Sequence, residues 1–141
     1  PPHDALPISF SHEMIQKHWA SVDYRKNMSI IGLLQKRGHK EISAIGTYAY
    51  ESENKAEIAF VVREEYQGMG IASYLLGVLE KIALENNYIQ FSANVLRENK
   101  AMIHVFRKRY PNLRMSVQSG SEVLIEMDLN DTAQSQKTLD Q

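Results

Sequence analysis

The chain has 141 residues, 43% of them hydrophobic, and a net charge of −1, which is enough to enclose one core without disulfide or metal staples. Charge so near balance offers nucleic acid or an anionic membrane no general attraction, and the absence of cysteine removes disulfides, thiolate metal sites and a cysteine nucleophile. No apolar run approaches the ~20 residues of a membrane span and no signal peptide is visible, so a cytoplasmic protein without nucleic-acid, membrane or metal partners is expected.

The chain does not begin with Met, and Pro1 to Pro7 suits neither a helix nor a strand. His3-Asp4-Ala5-Leu6-Pro7-Ile8 resembles a translated sequencing adapter, so residues 1–10 are expected to be a non-native or disordered leader. From Ser11 the spacing of Met14, Ile15, His18 and Trp19 predicts a short helix with Ser11 as N-cap, and Tyr24 is a packing residue on the way to the sheet. Ser29 to Lys36 reads as a buried strand, Arg37-Gly38-His39 as a turn, and Lys40 to Tyr50 as an antiparallel partner strand. In that second strand Ile42, Ala44, Gly46 and Tyr48 share one face. Glu51 to Lys55 closes the next hairpin, and Ala56 to Val62 is a third strand.

A polar stretch and Gln67-Gly68-Met69-Gly70 follow, and then a helical pattern begins at once. Ile71, Ala72, Leu75, Leu76, Leu79, Ile82 and Ala83 recur at i, i+3, i+4 spacing as far as Asn86-Asn87. Ile89, Phe91, Ala93 and Val95 alternate in a strand, which after a crossover helix is expected to lie parallel to Ala56–Val62. Asn99 caps a helix that ends in Arg107-Lys108-Arg109 before Pro111. Two strands, Arg114 to Gln118 and Ser121 to Leu129, flank a Ser119-Gly120 turn, and residues 130–141 read as a disordered polar tail. The folded domain is therefore residues 11–129, an α+β fold with a mixed, mostly antiparallel sheet flanked by helices.

Strand, glycine-rich loop and helix start, in that order, make an anion site: glycines let the backbone approach phosphates, and the first turn of the helix has N–H groups without partners. The P-loop pattern G-x-x-x-x-G-K-[ST] is absent. The dinucleotide fingerprint fails because Ser73 stands where its third glycine would be.

Gln67-x-x-Gly70-x-Ala72 after a strand ending in Val61-Val62 resembles motif A of the GNAT family of N-acetyltransferases, and Ala56 to Ala72 is most similar to the Pat-type protein-lysine acetyltransferase domains of bacteria. The likeness runs from about His12 to about Leu129. It implies that Gln67, Gly68, Met69, Gly70, Ile71 and Ala72 bind the pyrophosphate of acetyl-CoA, mostly through backbone N–H groups. It also implies that Val62 pairs with the pantetheine arm where two strands splay, that Asn99 bonds the pantetheine region, and that Glu57 is the general base, often through water. Because this domain is often attached to an acyl-CoA-synthetase-like or regulatory region, such a neighbour is implied as well. Set against the family fold, the first strand and first helix look to be missing.

Amine acetylation needs a polarised acyl donor and a base that deprotonates the acceptor ammonium, and it needs no metal. Glu57 shares a strand face with Ala59 and Val61, and apolar neighbours would poise its carboxylate as a base; the alternative is a solvated charge at a strand start. Many family members carry an acidic Tyr seven residues after the Asn, where this chain has Phe106. A phenyl ring cannot donate a proton, but a thiol is acidic enough to leave as its anion. Three readings stay open: an acetyltransferase for a protein lysine, one for a small amine, and a non-catalytic acyl-CoA-binding module of a longer protein.

Overall fold

In the computed structural model, residues 8–11 and 26–134 are described. They form one seven-stranded sheet in the order β1-β2-β3-β4-β5-β7-β6. The strands are β1 (Ile8–Ser11), β2 (Met28–Lys36), β3 (His39–Ser52), β4 (Lys55–Val62), β5 (Gln90–Leu96), β6 (Arg114–Ser119) and β7 (Glu122–Asp128), with helices α1 (Ile71–Glu85) and α2 (Lys100–Arg109). Every neighbouring pair is antiparallel except β4–β5, the parallel pair joined by α1. This is the mixed sheet that the strand and helix order predicts.

Three local expectations change. Ile8–Ser11 pairs with β2 at the sheet edge, so residues 8–10, expected to belong to a leader, are strand, the helix start expected at Ser11 is a strand end, and a strand precedes β2 where the first one was expected to be missing; residues 1–7 lie outside the described residues. Ile8 and Phe10 alternate with Ser9 and Ser11, a strand pattern masked by the flanking prolines. The rest of the predicted first helix, with Met14, Ile15, His18 and Trp19, and Tyr24 after it, lies outside the described residues.

The second change is in β3. The register between β2 and β3 shifts at Gly32/Leu33, and Ser43 is the extra residue, buried with its hydroxyl donating to Gly32 O at 3.0 Å. An extra residue reverses every side chain beyond it. Ile42, expected to face the core with Ala44, is consequently 45% exposed. The third change is at the C-terminus, where the tail expected from residue 130 starts packed: Thr132 is buried, and Asn112 Nδ2 donates to Asp131 Oδ2 at 3.0 Å.

The core lies between one face of the sheet and the two helices. Ile71, Leu75, Leu76, Leu79 and Ala83 of α1 are buried against Ile30, Tyr48, Ile58, Phe91 and Ile125 of the sheet. Leu75, Leu76 and Leu79 fall on the apolar stripe that the period predicts. From α2, Ile103 and Phe106 join the same core.

The helices are tied together by Glu80. Arg109 donates to it twice, from Nε at 3.1 Å and from a terminal nitrogen at 2.8 Å, and the Tyr110 hydroxyl donates at 2.6 Å. A buried carboxylate requires this degree of satisfaction. Burial and the Glu80 carboxylate together push the Tyr110 hydroxyl well above the usual tyrosine range, so it stays a neutral donor.

Candidate active site

The site forms where β4 and β5 part. They pair only at Lys55↔Gln90, Ala56↔Phe91 and Glu57↔Ser92, although β4 continues to Val62 and β5 to Leu96. On their outer edges both stay paired, β4 with β3 up to Val62 and β5 with β7 up to Leu96. The two strands therefore open like a wedge with its vertex at Glu57 and Ser92.

The register shows which backbone groups face the wedge. Arg63 N–H donates to Ser43 O at 2.9 Å, which places Val61 and Arg63 in the bonded pairs with β3. By alternation, the N–H and C=O groups of Phe60 and Val62 turn toward β5, where nothing pairs with them. The Val62 carbonyl already accepts from Gln67 Nε2 at 3.1 Å. The Gln67 side chain thus ties the loop back to β4, while the Val62 N–H faces the opening.

Beyond β4 a 3₁₀ turn, Glu64–Tyr66, leads into the glycine loop. Gly68 and Gly70 hold φ +79° and +84°, and a Cβ built on either meets nothing within 4 Å. These left-handed positions favour glycine, and they open the loop toward solvent rather than toward packed atoms. Gly70 is the residue preceding α1 and provides no side-chain cap. The N–H groups of Gly68 through Ser73 find no acceptor among the described residues. Together they make an array of donors at the positive end of a 15-residue helix, the arrangement that receives an anion.

A cleft of about 600 Å³ joins wedge and loop, lined by Phe60 and Val62 of β4, by Gln67, Gly68 and Gly70, and by the facing side of α2. Of the residues expected to bind the cofactor, Val62, Gln67, Gly68, Gly70, Ile71, Ala72 and Asn99 line this cleft. Met69 is absent from its wall and 42% exposed. Asn99 is the N-cap of α2, its Oδ1 accepting from Met102 N–H at 3.2 Å.

Phe106, at the position where the resembled pattern has a tyrosine acid, is buried and packs on Phe60 with ring centroids 6.1 Å apart. It is a core residue behind Phe60 and is absent from the wall of the cleft. Tyr66, His104 and Lys108 also line the cleft and escaped the sequence reading. The two on α2 carried a usable signal: Ala101, His104, Val105 and Lys108 recur at i, i+3, i+4 and i+7, which puts them on one helix face.

Glu57 sits at the vertex but not in the apolar surroundings expected for it. It is exposed, because the odd-numbered residues of β4 face away from the helices. Around it, Ser92 is fully buried and donates to Glu51 Oε1 at 2.8 Å, and Lys55 Nζ bonds both Glu126 and Glu51. The Lys55 ammonium beside Glu126 holds that carboxyl below the usual range, and the Glu126 carboxylate raises Lys55 in turn. Glu51 and Glu126 are therefore committed, whereas Glu57 makes no hydrogen bond or ion pair among the described residues. Among the described residues no cluster of three metal-ligating side chains occurs, and no helix is long and apolar enough to cross a membrane.

Comparison with known proteins agrees with this geometry. The chain is 30% identical over 115 residues to acetyltransferase Pat of Mycolicibacterium smegmatis, an alignment covering 68% of this chain and 33% of that protein. It superimposes on the GNAT domain of S. lividans PAT with a TM-score of 0.62 at 27% identity, covering 75% of this chain and 62% of that one. A cAMP-binding acyltransferase from Mycobacterium smegmatis matches with a TM-score of 0.66 at 26% identity, covering 84% of this chain and 36% of that one. The chain thus spans about a third of the full-length relatives. The sequence model of the Acetyltransferase (GNAT) family matches residues 4–110, and the chain belongs to that family.

Proposed function

We propose that this chain transfers an acetyl group from acetyl-CoA to an amine, with a protein lysine side chain as the acceptor. The observation that carries the reading is the continuity of an uncapped, glycine-opened helix N-terminus with the β4–β5 wedge. The residues present fit the donor. The N–H groups of Gly68 to Ser73 match a pyrophosphate in charge and donor number. The open backbone edge at Phe60 and Val62 matches the amides of a pantetheine arm, which add to a strand edge as a peptide does.

Acetyl-CoA, when bound, supplies an activated thioester at the wedge. The protein's own contributions are positional and electrostatic. The loop anchors one end of the donor, and the edge of β4 aligns the arm toward the vertex. Glu57, the uncommitted carboxylate there, attracts the acceptor ammonium and takes its proton, directly or through water, so that the neutral amine can attack. Phe106 has no proton to give, so the departing sulfur leaves as thiolate or takes its proton from water.

The lysine acceptor rests on the likeness to Pat-type domains, and a bacterial, cytoplasmic setting beside a larger region belongs to the same reading. The test is Glu57→Gln. It is expected to bind acetyl-CoA as tightly as wild type while turnover on a lysine peptide falls by about 10²–10³-fold. Unchanged turnover would remove Glu57 from the mechanism. Acetylation of small amines in place of any peptide would move the acceptor to a small molecule. A folded wild type that bound acetyl-CoA and acetylated neither would be a binding module.

A further inference from the structure

The tip of the β2–β3 hairpin carries a charge that the cleft does not use. Four of the five residues from Lys36 to Lys40 are basic, Lys36, Arg37, His39 and Lys40, in a chain whose net charge is −1. Every residue from Gln35 to Lys40 is exposed. None of the four basic side chains makes a hydrogen bond or ion pair among the described residues. The ladder sets Lys36 opposite His39 and Lys40 opposite Gln35, so no carboxylate meets them across the hairpin, where opposite charge would be the stabilising choice.

The turn itself is held at a cost. Arg37 has φ +48° and Gly38 φ +85°, the two positive values of the turn that a two-residue hairpin loop prefers. Asparagine or glycine ordinarily fills the first of these positions, because a Cβ is strained there. The chain keeps an arginine at that position and gives it no partner among the described residues. Strain retained without an internal contact points to an external one.

The patch is small and bounded by acids. Glu41, next to Lys40, accepts from the Tyr66 hydroxyl at 3.1 Å and lies 3.9 Å from Arg63, whose Nε is 3.0 Å from Glu65. A nucleic-acid duplex or a plane of anionic headgroups would have to lay its own negative charge over these carboxylates. The tip is two strands wide, about 5 Å from one to the other, and bears no aromatic ring on which a base could stack. Ile42, on the same strand face as Lys40 and 45% exposed, adds an aliphatic contact beside the charges. A narrow group of cations with one apolar neighbour complements a short acidic stretch of polypeptide. We propose that the β2–β3 hairpin tip docks an acidic segment of a partner protein, with Lys36, Arg37 and Lys40 as the cationic contacts.

Titration with hexaglutamate at low ionic strength, followed through backbone amide NMR shifts, tests this beside a short DNA duplex and phosphatidylserine vesicles. Hexaglutamate is expected to shift the amides of residues 35–42 and to bind more tightly than the duplex or the vesicles. The triple variant Lys36→Gln, Arg37→Asn, Lys40→Gln should bind it at least about tenfold more weakly, and Arg37→Asn alone about two- to fivefold more weakly, the range for exposed charge pairs. Arg37→Asn should at the same time raise the melting temperature, because asparagine suits the left-handed position. A residue with a structural role only would not set stability against affinity in this way. Acetyl-CoA affinity should be unchanged in both variants. Shifts that avoid the hairpin, an Arg37→Asn variant that binds hexaglutamate as wild type does, or tighter binding of the duplex or the vesicles overturns the proposal. So does a fall in acetyl-CoA affinity in the triple variant, which would assign the charges to the cleft.

Discussion

The two ends of α1 were built to opposite plans. At the C-terminal end nearly every backbone group is satisfied internally. Asn86 N–H donates to Ile82 O and Ala83 O, Asn86 Nδ2 donates to Ile82 O at 2.8 Å, and Tyr88 N–H returns to Ala83 O. Asn87 supplies the left-handed turn at φ +70° that such a helix end requires. At the N-terminal end Gly70 offers no side-chain cap, and the N–H groups from Gly68 to Ser73 have no acceptor among the described residues. A serine or aspartate cap would be better than glycine by only a few tenths of a kcal/mol, and at the left-handed Gly70 it would be strained. Glycine leaves the donors free, and they form the candidate site. On the function proposed above, the closed end serves folding and the open end serves binding.

The largest expected effect comes from closing the open end. Gly70→Glu should reduce affinity for acetyl-CoA by at least about 100-fold, because it sets a carboxylate where the pyrophosphate is to lie. Gly70→Ala is the control. It carries the left-handed strain of about 1 kcal/mol in melting experiments but adds no charge, so a loss of binding as large as that of the glutamate variant would mean that loop conformation, not charge, controls the site.

Next in size is the tie that holds the body of the helix. Glu80→Ala should cost about 2–4 kcal/mol in denaturant unfolding, because it strands the Arg109 guanidinium and the Tyr110 hydroxyl at a mostly buried contact. A cost below about 1 kcal/mol would show that water replaces the carboxylate. At the closed end, Asn86→Ala should cost about 1 kcal/mol and leave acetyl-CoA affinity unchanged. A change in affinity there would break the separation of roles between the two ends.

The smallest effect is one of pH. Tyr110 is held protonated in the fold above the ordinary value of 10.0. The stability it contributes is present in full below that value. It is lost as pH rises further, since the unfolded chain gives up the proton that the folded chain keeps. Tyrosinate absorbance should show Tyr110 ionising only with unfolding, and Tyr110→Phe should flatten the alkaline decline. An early titration that includes all of the tyrosines would contradict the buried Glu80–Tyr110 bond.

Much of this was legible along the chain because it depends on near neighbours. Alternation in β4, β5 and β7 and the 3.6-residue stripe of α1 follow from side chains that repeat within one turn or one pleat. The glycine loop was legible for the same reason, since a left-handed backbone next to a helix start leaves its mark in the residues that must adopt it. Gln67 to Ala72 could be named before any fold was known, although the tie from the Gln67 side chain to Val62 O could not.

What only the tertiary structure decided is whatever depends on two distant segments at once. The bulge at Ser43, which turns Ile42 outward, is a mismatch between β2 and β3 and is invisible in either strand alone. The same holds for the parting of β4 from β5 after Glu57. So does the exposure of Glu57, whose alternating neighbours Ala59 and Val61 suggested an apolar face but whose side of the sheet is set by where the crossover helix packs. Lys108 is the furthest case. Its sequence neighbours mark it as one of three cations favourable to a helix end, and only the meeting of α2 with the first turn of α1 makes it a charge on the wall of the cleft without a partner among the described residues. Local patterns determine which elements form. The long-range pairing of those elements determines where the sheet opens, and an opening in the sheet is what a ligand of this shape requires.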